Sequence, residues 1–279
     1  MKNALNAFAA SGVKIDEIAL FREMSRYLST WYSTLFINET HKHYVVYHSR
    51  YAKMDKLKEI SDIWVVAFSP RKKLAKMTFL QAKYRRGYYS MTVPFIFSGD
   101  YYQYELLSTR PKIKRDITGY QLSLDVLSGA ISDAVGSYGT FYKDSMGSLD
   151  MMFCVASELR CKRRPKGSSE KTKLFFRGKR SAVLHLSSVP SSGIEVRRTL
   201  FIDLFEVGLV NLMIGTPIQT DGGMLGILKK VVLRSHVQAP VIDEFVSFIT
   251  SLQDIASPDD AHGGDGNPNL LLINVDPKG

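Results

Sequence analysis

Residues 62–84 read DIWVVAFSPRKKLAKMTFLQAKY, and this stretch decides the fold. The run from Asp62 to Phe68 is almost wholly apolar, which is typical of a central strand that is covered on both faces. The sequence SPRKK at 69–73 predicts a turn, and a second strand of similar length follows over 76–84. The pattern therefore predicts a β-hairpin at the centre of a sheet.

Helices and strands are mixed on either side of this hairpin. Helical spacing of apolar residues predicts helices over 14–36, 122–134 and 242–252, and Asp100 is the expected N-cap of another helix that ends before Pro111. Further strands are expected over 43–48, 151–159, 173–177, 180–186 and 195–204. This order of elements predicts an α/β fold of the mixed α+β kind.

The chain divides by composition into three segments. We expect a core over 1–150, a basic second half over 151–256 that completes or extends it, and a flexible acidic tail over 257–279. The tail is rich in Pro, Gly and Asp and ends in the apolar residues 270–275. This apolar end is a candidate docking segment for a protein partner.

The net charge favours a polyanionic partner. Lys and Arg number 37 against 27 Asp and Glu, which gives a formal net charge of +10. Residues 71–86 hold seven basic and no acidic residues, and residues 160–180 hold ten basic residues against one glutamate. The candidate nucleic-acid contacts in these stretches are Lys72, Lys73, Arg85, Arg86, Arg160, Lys162, Arg163, Arg164 and Lys166.

No membrane partner is expected from the sequence. The longest apolar stretch, residues 200–218, contains Asp203, Glu206 and Asn211 and is too polar for a membrane span. The N-terminal segment is too short and polar for a secretory signal, so we expect a cytoplasmic protein whose two cysteines are reduced.

Asp62, Gln81 and Lys83 are expected to form one polar patch on an otherwise apolar hairpin. Gln81 and Lys83 are two residues apart, so their side chains point to the same face of the sheet. If the hairpin is symmetrical about residues 72 and 73, Asp62 lies opposite Lys83. Mg²⁺ prefers carboxylate and amide oxygens, and a neighbouring lysine can orient an attacking water and stabilise a reacting phosphate. The hairpin therefore predicts a site for metal-assisted phosphodiester hydrolysis.

Asp62 is followed nineteen positions later by Gln81-Ala82-Lys83, and both lie on a predicted hairpin behind an N-terminal helix. This pattern resembles the PD-(D/E)XK nuclease superfamily over roughly residues 14–110. The resemblance implies a restriction-endonuclease-like core with a central mixed sheet flanked by helices. It implies that Asp62 and Gln81 bind Mg²⁺ or Mn²⁺ and that Lys83 assists the water. Gln81 stands where Glu is usual, a variant that exists in the superfamily, and Ser61 stands where the Pro of the family name would be.

An acidic residue of the first helix often completes the site in that family. Glu17 and Glu23 are both candidates here, because each lies beside apolar residues of the predicted helix. Glu17 is placed with Asp62 and Gln81 in the expected metal set. The sequence leaves Glu23 open as the alternative.

These features predict a metal-dependent endonuclease that acts on nucleic acid, with DNA as the expected substrate. A role as a prokaryotic defence effector is implied by the resemblance alone. The alternative is a non-catalytic nucleic-acid-binding or scaffold protein of a larger complex. In that alternative, Asp62 caps the start of a strand, and Gln81 and Lys83 are an ordinary solvated pair.

Overall fold

A computed structural model of the chain describes residues 1–37, 43–89, 95–117, 122–162, 169–176, 183–190, 193–219, 223–252 and 268–278, without the side chain of Arg86. The helices are α1 (Lys2–Ala10), α2 (Glu17–Leu28), α3 (Tyr101–Thr109), α4 (Ile202–Val210), α5 (Met224–Arg234) and α6 (Pro240–Leu252). The strands are β1 (Ser33–Ile37), β2 (Tyr44–Ser49), β3 (Met54–Glu59), β4 (Ile63–Ser69), β5 (Leu74–Tyr89), β6 (Ile96–Asp100), β7 (Ile113–Asp116), β8 (Gly136–Asp144), β9 (Leu149–Val155), β10 (Leu159–Cys161), β11 (Lys171–Phe176), β12 (Leu184–Val189), β13 (Gly193–Thr199), β14 (Thr216–Pro217) and β15 (Leu270–Asn274). Within these ranges no helix is long and apolar enough to cross a membrane.

A mixed sheet of nine strands forms the centre of the molecule. Its order is β1-β15-β4-β5-β8-β9-β13-β12, and the short β14 pairs with β5. Strand β15 is parallel to β4 and β8 is parallel to β5, whereas the other neighbouring pairs are antiparallel. The remaining strands form two smaller sheets, β10-β11-β6 and β3-β2-β7. The prediction of a mixed α/β protein with a central mixed sheet and helices is confirmed.

Both faces of the central sheet are covered, as the apolar sequence of β4 requires. Trp64, Val66 and Phe68 face one core, in which residues of α3, α5, α6 and the two smaller sheets are buried. Ile63, Val65 and Ala67 face the other core, which contains residues of α1, α2 and α4. Because successive side chains of a strand alternate between faces, a strand between two cores must be apolar throughout.

The hairpin β4–β5 exists, but its predicted register is wrong by two residues. Ser69 pairs with Leu74 and Ile63 pairs with Leu80, so the turn is centred between residues 71 and 72. Lys73 takes a left-handed conformation with φ 49°, which closes the turn earlier than the sequence suggested. Asp62 therefore lies beside Gln81 rather than opposite Lys83.

Several predicted elements are wrong because they lie next to strands with distant partners. The helix expected over 14–36 spans only Glu17–Leu28, since residues 33–37 form β1 and pair with β15. Residues 122–134 contain turns and the start of a short 3-10 helix (Asp133–Val135) rather than an α-helix, and the strand expected over 195–204 ends at Thr199 before α4. The helix capped by Asp100 is present, because the Asp100 carboxylate accepts a hydrogen bond from Gln103 N.

The end of the chain is not a flexible tail at residues 270–274. These residues form β15, a fully buried strand inserted between β1 and β4. Residues 253–267, which hold most of the expected linker, lie outside the described residues. Strands from all three segments expected from composition thus belong to one sheet.

Leu272→Ala should lower the free energy of unfolding by about 3 kcal/mol, because it removes a fully buried side chain from the middle of β15. Urea denaturation measures this loss. The control is Leu233→Ala on α5, where the side chain is 53% exposed and we expect a change within about 0.5 kcal/mol. Equal stability of the two variants would contradict a central position for β15.

Candidate active site

Strand β5 continues beyond the start of its partner β4. Strand β4 begins at Ile63, which pairs with Leu80, whereas β5 extends to Tyr89. The N–H groups of β5 that lack a β4 partner need other acceptors, because an unpaired buried N–H costs free energy. Ala82 N donates to Asp62 Oδ2 at 2.8 Å, and Tyr84 N donates to Glu17 Oε1 at 2.8 Å. Two carboxylates from different elements therefore meet at one strand edge.

The Asp62 carboxylate contacts both polar side chains of β5. The amide nitrogen of Gln81 donates to Asp62 Oδ2, and Lys83 Nζ lies 3.3 Å from the same oxygen. The side chains of Asp62 and Lys83 are 23% and 29% exposed, whereas Gln81 is buried. The structure thus brings together the three hairpin residues that the sequence singled out, at a point that solvent can reach.

The two candidate glutamates of α2 have different surroundings. Glu17 lies in the first turn of the helix, where its carboxylate binds the backbone of Tyr84 and is close enough to Asp62 to raise its pKa. Glu23 is buried and forms a two-point ion pair with Arg26, with N···O distances of 2.9 and 2.7 Å. Glu17 is therefore the helical acid that accompanies Asp62.

The pKa of Asp62 is raised, and burial is the main cause. The negative charge of Glu17 acts in the same direction. Lys83 and the N–H of Ala82 act in the opposite direction, because both stabilise the ionised carboxylate. The ionised form of Asp62 therefore depends on nearby positive charge, and Lys83 supplies part of that charge.

Three oxygen atoms of the site lack a hydrogen-bond donor among the described residues. The amide oxygen Oε1 of Gln81 is buried and unpartnered, and Asp62 Oδ1 and Glu17 Oε2 accept no hydrogen bond there. Two carboxylate oxygens and one amide oxygen are the donors that Mg²⁺ and Mn²⁺ prefer. In the part of the chain described here, no three His, Cys, Asp or Glu side chains are grouped to hold a metal, so a cation here would need the amide oxygen of Gln81 as a third donor. The chemistry of this donor set suits a divalent cation.

Strand β8 adds two hydroxyl groups that sequence reasoning missed. Tyr138 pairs with Gln81, and Thr140 pairs with Lys83, so both lie on the face of the site. Their hydroxyls are buried without a partner in the described structure. Burial and the nearby carboxylates of Asp100 and Asp62 raise the pKa of Tyr138, which keeps its hydroxyl protonated. The spacing of Tyr138 and Thr140, two residues apart on one predicted face, was the available signal, but the sequence does not show which strand they pair with.

The predicted nucleic-acid contacts are spread over the surface. Lys72 and Lys73 are exposed in the turn at the opposite end of the hairpin, about 25 Å from Gln81 at the usual rise per residue. Arg160 and Lys162 are exposed at β10. Arg85 is half-buried and follows Lys83 on β5. Arg163, Arg164, Lys166 and the side chain of Arg86 lie outside the described residues. Among the residues of this set whose side chains are described, only Arg85 lies close to the candidate site, because it follows Lys83 by two positions on β5.

No protein-family model matches the chain, and comparison with characterised proteins and solved structures found none that is similar.

Glu17→Gln should weaken Mn²⁺ binding by more than about tenfold, because it removes a charge from the donor set. The amide oxygen can still accept the hydrogen bond from Tyr84 N, so the fold should be kept. Glu23→Gln is the matched control on the same helix, and its Mn²⁺ affinity should equal that of the wild type. Isothermal titration calorimetry measures all three proteins. A larger loss in Glu23→Gln than in Glu17→Gln would reverse the assignment.

Lowering the pH should also weaken Mn²⁺ binding, and the loss should begin at a higher pH than it would at a site with an ordinary aspartate. The reason is that the pKa of Asp62 is raised, so protons compete with the cation as the pH falls through that raised value. Lys83 lowers this pKa, and Lys83→Gln should therefore move the loss of affinity to still higher pH. Titrations between about pH 4.5 and 8 measure the shift. A profile unchanged by Lys83→Gln would show that Asp62 does not limit binding.

Proposed function

We propose that the protein is a metal-dependent nuclease that hydrolyses phosphodiester bonds of nucleic acid, with DNA as the expected substrate. The observation that carries this proposal is the meeting of Asp62, Glu17, Gln81 and Lys83, with the buried amide oxygen of Gln81 left unpartnered. A carboxylate pair, an amide oxygen and an ammonium group at a solvent-accessible edge suit this chemistry.

Asp62, Glu17 and Gln81 would hold Mg²⁺ or Mn²⁺ through their free oxygens. When bound, the cation would neutralise charge on the reacting phosphate and favour ionisation of a water molecule. Lys83 would orient the attacking water and stabilise the negative charge that develops on the phosphate oxygens. Its ammonium group is held near this position by Asp62 Oδ2.

A restriction-endonuclease-like fold is part of the proposal. Helix α2 precedes the hairpin β4–β5, helix α3 follows it, and β8 then returns parallel to β5. Helices lie on both faces of this mixed sheet. The arrangement supports the resemblance on which the fold expectation was based.

A non-catalytic nucleic-acid-binding protein is the second candidate, and one observation favours it. Asp62 and Glu17 both accept backbone hydrogen bonds from β5, which gives each carboxylate a structural role without any metal. The two candidates differ over Lys83 and the oxygen of Gln81, because neither is needed to complete the strand edge. Substitutions at these two positions separate them.

Lys83→Ala should reduce Mg²⁺-dependent cleavage by about a hundredfold or more, because a positioned group that acts on the water typically contributes this much. Supercoiled plasmid DNA and a labelled duplex oligonucleotide serve as substrates, with EDTA as the zero-metal reference. Lys112→Ala removes an exposed lysine and should cleave like the wild type. Cleavage at the wild-type rate by Lys83→Ala would remove Lys83 from the mechanism.

Gln81→Ala and Gln81→Glu test the amide oxygen. If Oε1 binds the cation, Gln81→Ala should lose cleavage, whereas Gln81→Glu should keep it at a lower Mg²⁺ concentration because the carboxylate adds a charge. A structural role for Gln81 gives the opposite pattern, since Ala leaves no buried charge and Glu adds one. Cleavage rates measured against Mg²⁺ concentration for the three proteins distinguish the two.

A further inference from the structure

Unpartnered polar atoms are concentrated on one face of the central sheet. Buried side-chain nitrogens and oxygens without a hydrogen-bond partner in the described structure belong to Ser61, Trp64, Gln81, Arg85, Tyr138, Thr140 and Arg198. Native proteins rarely bury such groups without a reason, and each one calls for an explanation such as a bound ion or ligand. The metal site accounts for Gln81 but leaves the two arginines unexplained.

Arg198 lies on the same row of the sheet as the candidate metal site. Gln81 pairs with Tyr138, Tyr138 pairs with Cys154, and Cys154 pairs with Arg198. Directly paired residues point to the same face, so Arg198 shares its face with Gln81. Three strand spacings separate their backbones, which amounts to about 14 Å. The row therefore connects the metal site to a second cationic position.

Arg198 is buried without a carboxylate partner among the described residues. Its side chain is 4% exposed, and its guanidinium carbon lies 4.8 Å from the centre of the Phe176 ring. The adjacent Arg197 is different, because it forms ion pairs with Asp133 and Glu158. A buried guanidinium group that lacks a counter-charge is costly, and an anion is the usual compensation.

Arg85, two residues after Lys83 on β5, lies against aromatic rings that neighbour Phe176. Its guanidinium carbon lies 5.4 Å from the centre of the Tyr89 ring and 5.7 Å from that of Phe95. The rings of Phe95 and Phe176 are 5.9 Å apart, so the two arginines flank one aromatic pair. Arg85 likewise has no ion pair in the described structure, and the sequence contains no acidic residue over 84–99 or 171–194.

We propose that Arg198 and Arg85 form a phosphate subsite, which holds backbone phosphates of the nucleic acid near the one that is cleaved. Aromatic rings that stack on a guanidinium leave its N–H edge free, and this edge matches phosphate oxygens. The buried and unpartnered Nε of Arg198 and Nη1 of Arg85 are the donors that a phosphate would satisfy. The proposal rests on the proposed function for the identity of the anion. It adds a residue, Arg198, that the basic stretches of the sequence do not include.

Fluorescence anisotropy in EDTA tests the subsite without cleavage. The probes are labelled 16-nucleotide DNA and RNA strands and the DNA duplex, titrated between about 50 and 200 mM KCl. Arg198→Gln and Arg85→Gln should each weaken binding about five- to tenfold and reduce the slope of log affinity against log salt by about one. The factor should be the same for DNA and RNA and for different sequences, because phosphate is common to all.

Two variants control for charge and for folding. Arg22→Gln removes an exposed positive charge from α2, which covers the opposite face of the sheet, and should change binding by less than about twofold. Arg198→Lys keeps the charge and should keep the salt slope. If circular dichroism shows that Arg198→Gln does not fold, Arg85→Gln and Arg198→Lys decide the result. Affinity and salt slope equal to those of Arg22→Gln would overturn the subsite, as would a loss confined to DNA or to RNA.

The outcome separates this proposal from the nuclease proposal. If the wild type does not cleave in Mg²⁺ or Mn²⁺ but both arginine variants lose affinity, the subsite stands and the nuclease proposal fails. If cleavage depends on Lys83 while both arginine variants bind normally, the nuclease proposal stands and the subsite fails.

Discussion

The geometry of the candidate site depends on the unequal lengths of β4 and β5. Beyond Leu80, strand β5 has no pairing partner on β4, so the N–H groups on that edge need other hydrogen-bond acceptors. Asp62 and Glu17 supply them through Ala82 N and Tyr84 N. Because each carboxylate is fixed by one oxygen, its second oxygen is left in a defined position. A requirement of backbone hydrogen bonding thus orients the two acidic groups.

The end of the chain takes part in this arrangement. Strand β15 pairs with β4 in parallel, and the residue just before it, Asn269, donates its side-chain amide to the backbone oxygen of Asp62 at 2.9 Å. Trp64 N in turn donates to Asn269 O at 2.8 Å. The backbone of Asp62 is therefore held by a segment more than two hundred residues away in sequence. Correct placement of Asp62 requires that this long-range pairing has formed, which couples the site to completion of the central sheet.

The sequence predicted those features that depend on local pattern. The apolar run of β4 identified a doubly covered strand, and Gln81 and Lys83 share a face because they are two residues apart. Asp100 was recognised as an N-cap from the residues next to it. The register of the hairpin was missed because it depends on the left-handed conformation of Lys73, for which the side chain gives no signal.

Features that depend on a distant partner could not be predicted. The apolar end of the chain looked like a docking segment, because nothing near Leu270 shows that β1 and β4 lie on either side of it. Arg198 was missed for the same reason. Its neighbour Arg197 has the same side chain, and only the tertiary structure shows which of the two is paired with carboxylates. Sequence reasoning found the residues of one hairpin but not the residues that β8 and β13 place on the same face of the sheet.

The amide at position 81 has an electrostatic consequence for the protein without a cation. Glu17 is already close enough to Asp62 for its negative charge to raise the pKa of Asp62. A third carboxylate on β5 would add repulsion, and burial would increase its cost. Gln81 avoids this cost and also donates a hydrogen bond to Asp62, which a glutamate in its ionised form cannot do. The hydrogen bonds that hold the site therefore do not require a metal ion. In the proposed metal site, a cation would be bound by Asp62 Oδ1, Glu17 Oε2 and Gln81 Oε1, with one negative charge fewer than three carboxylates would provide.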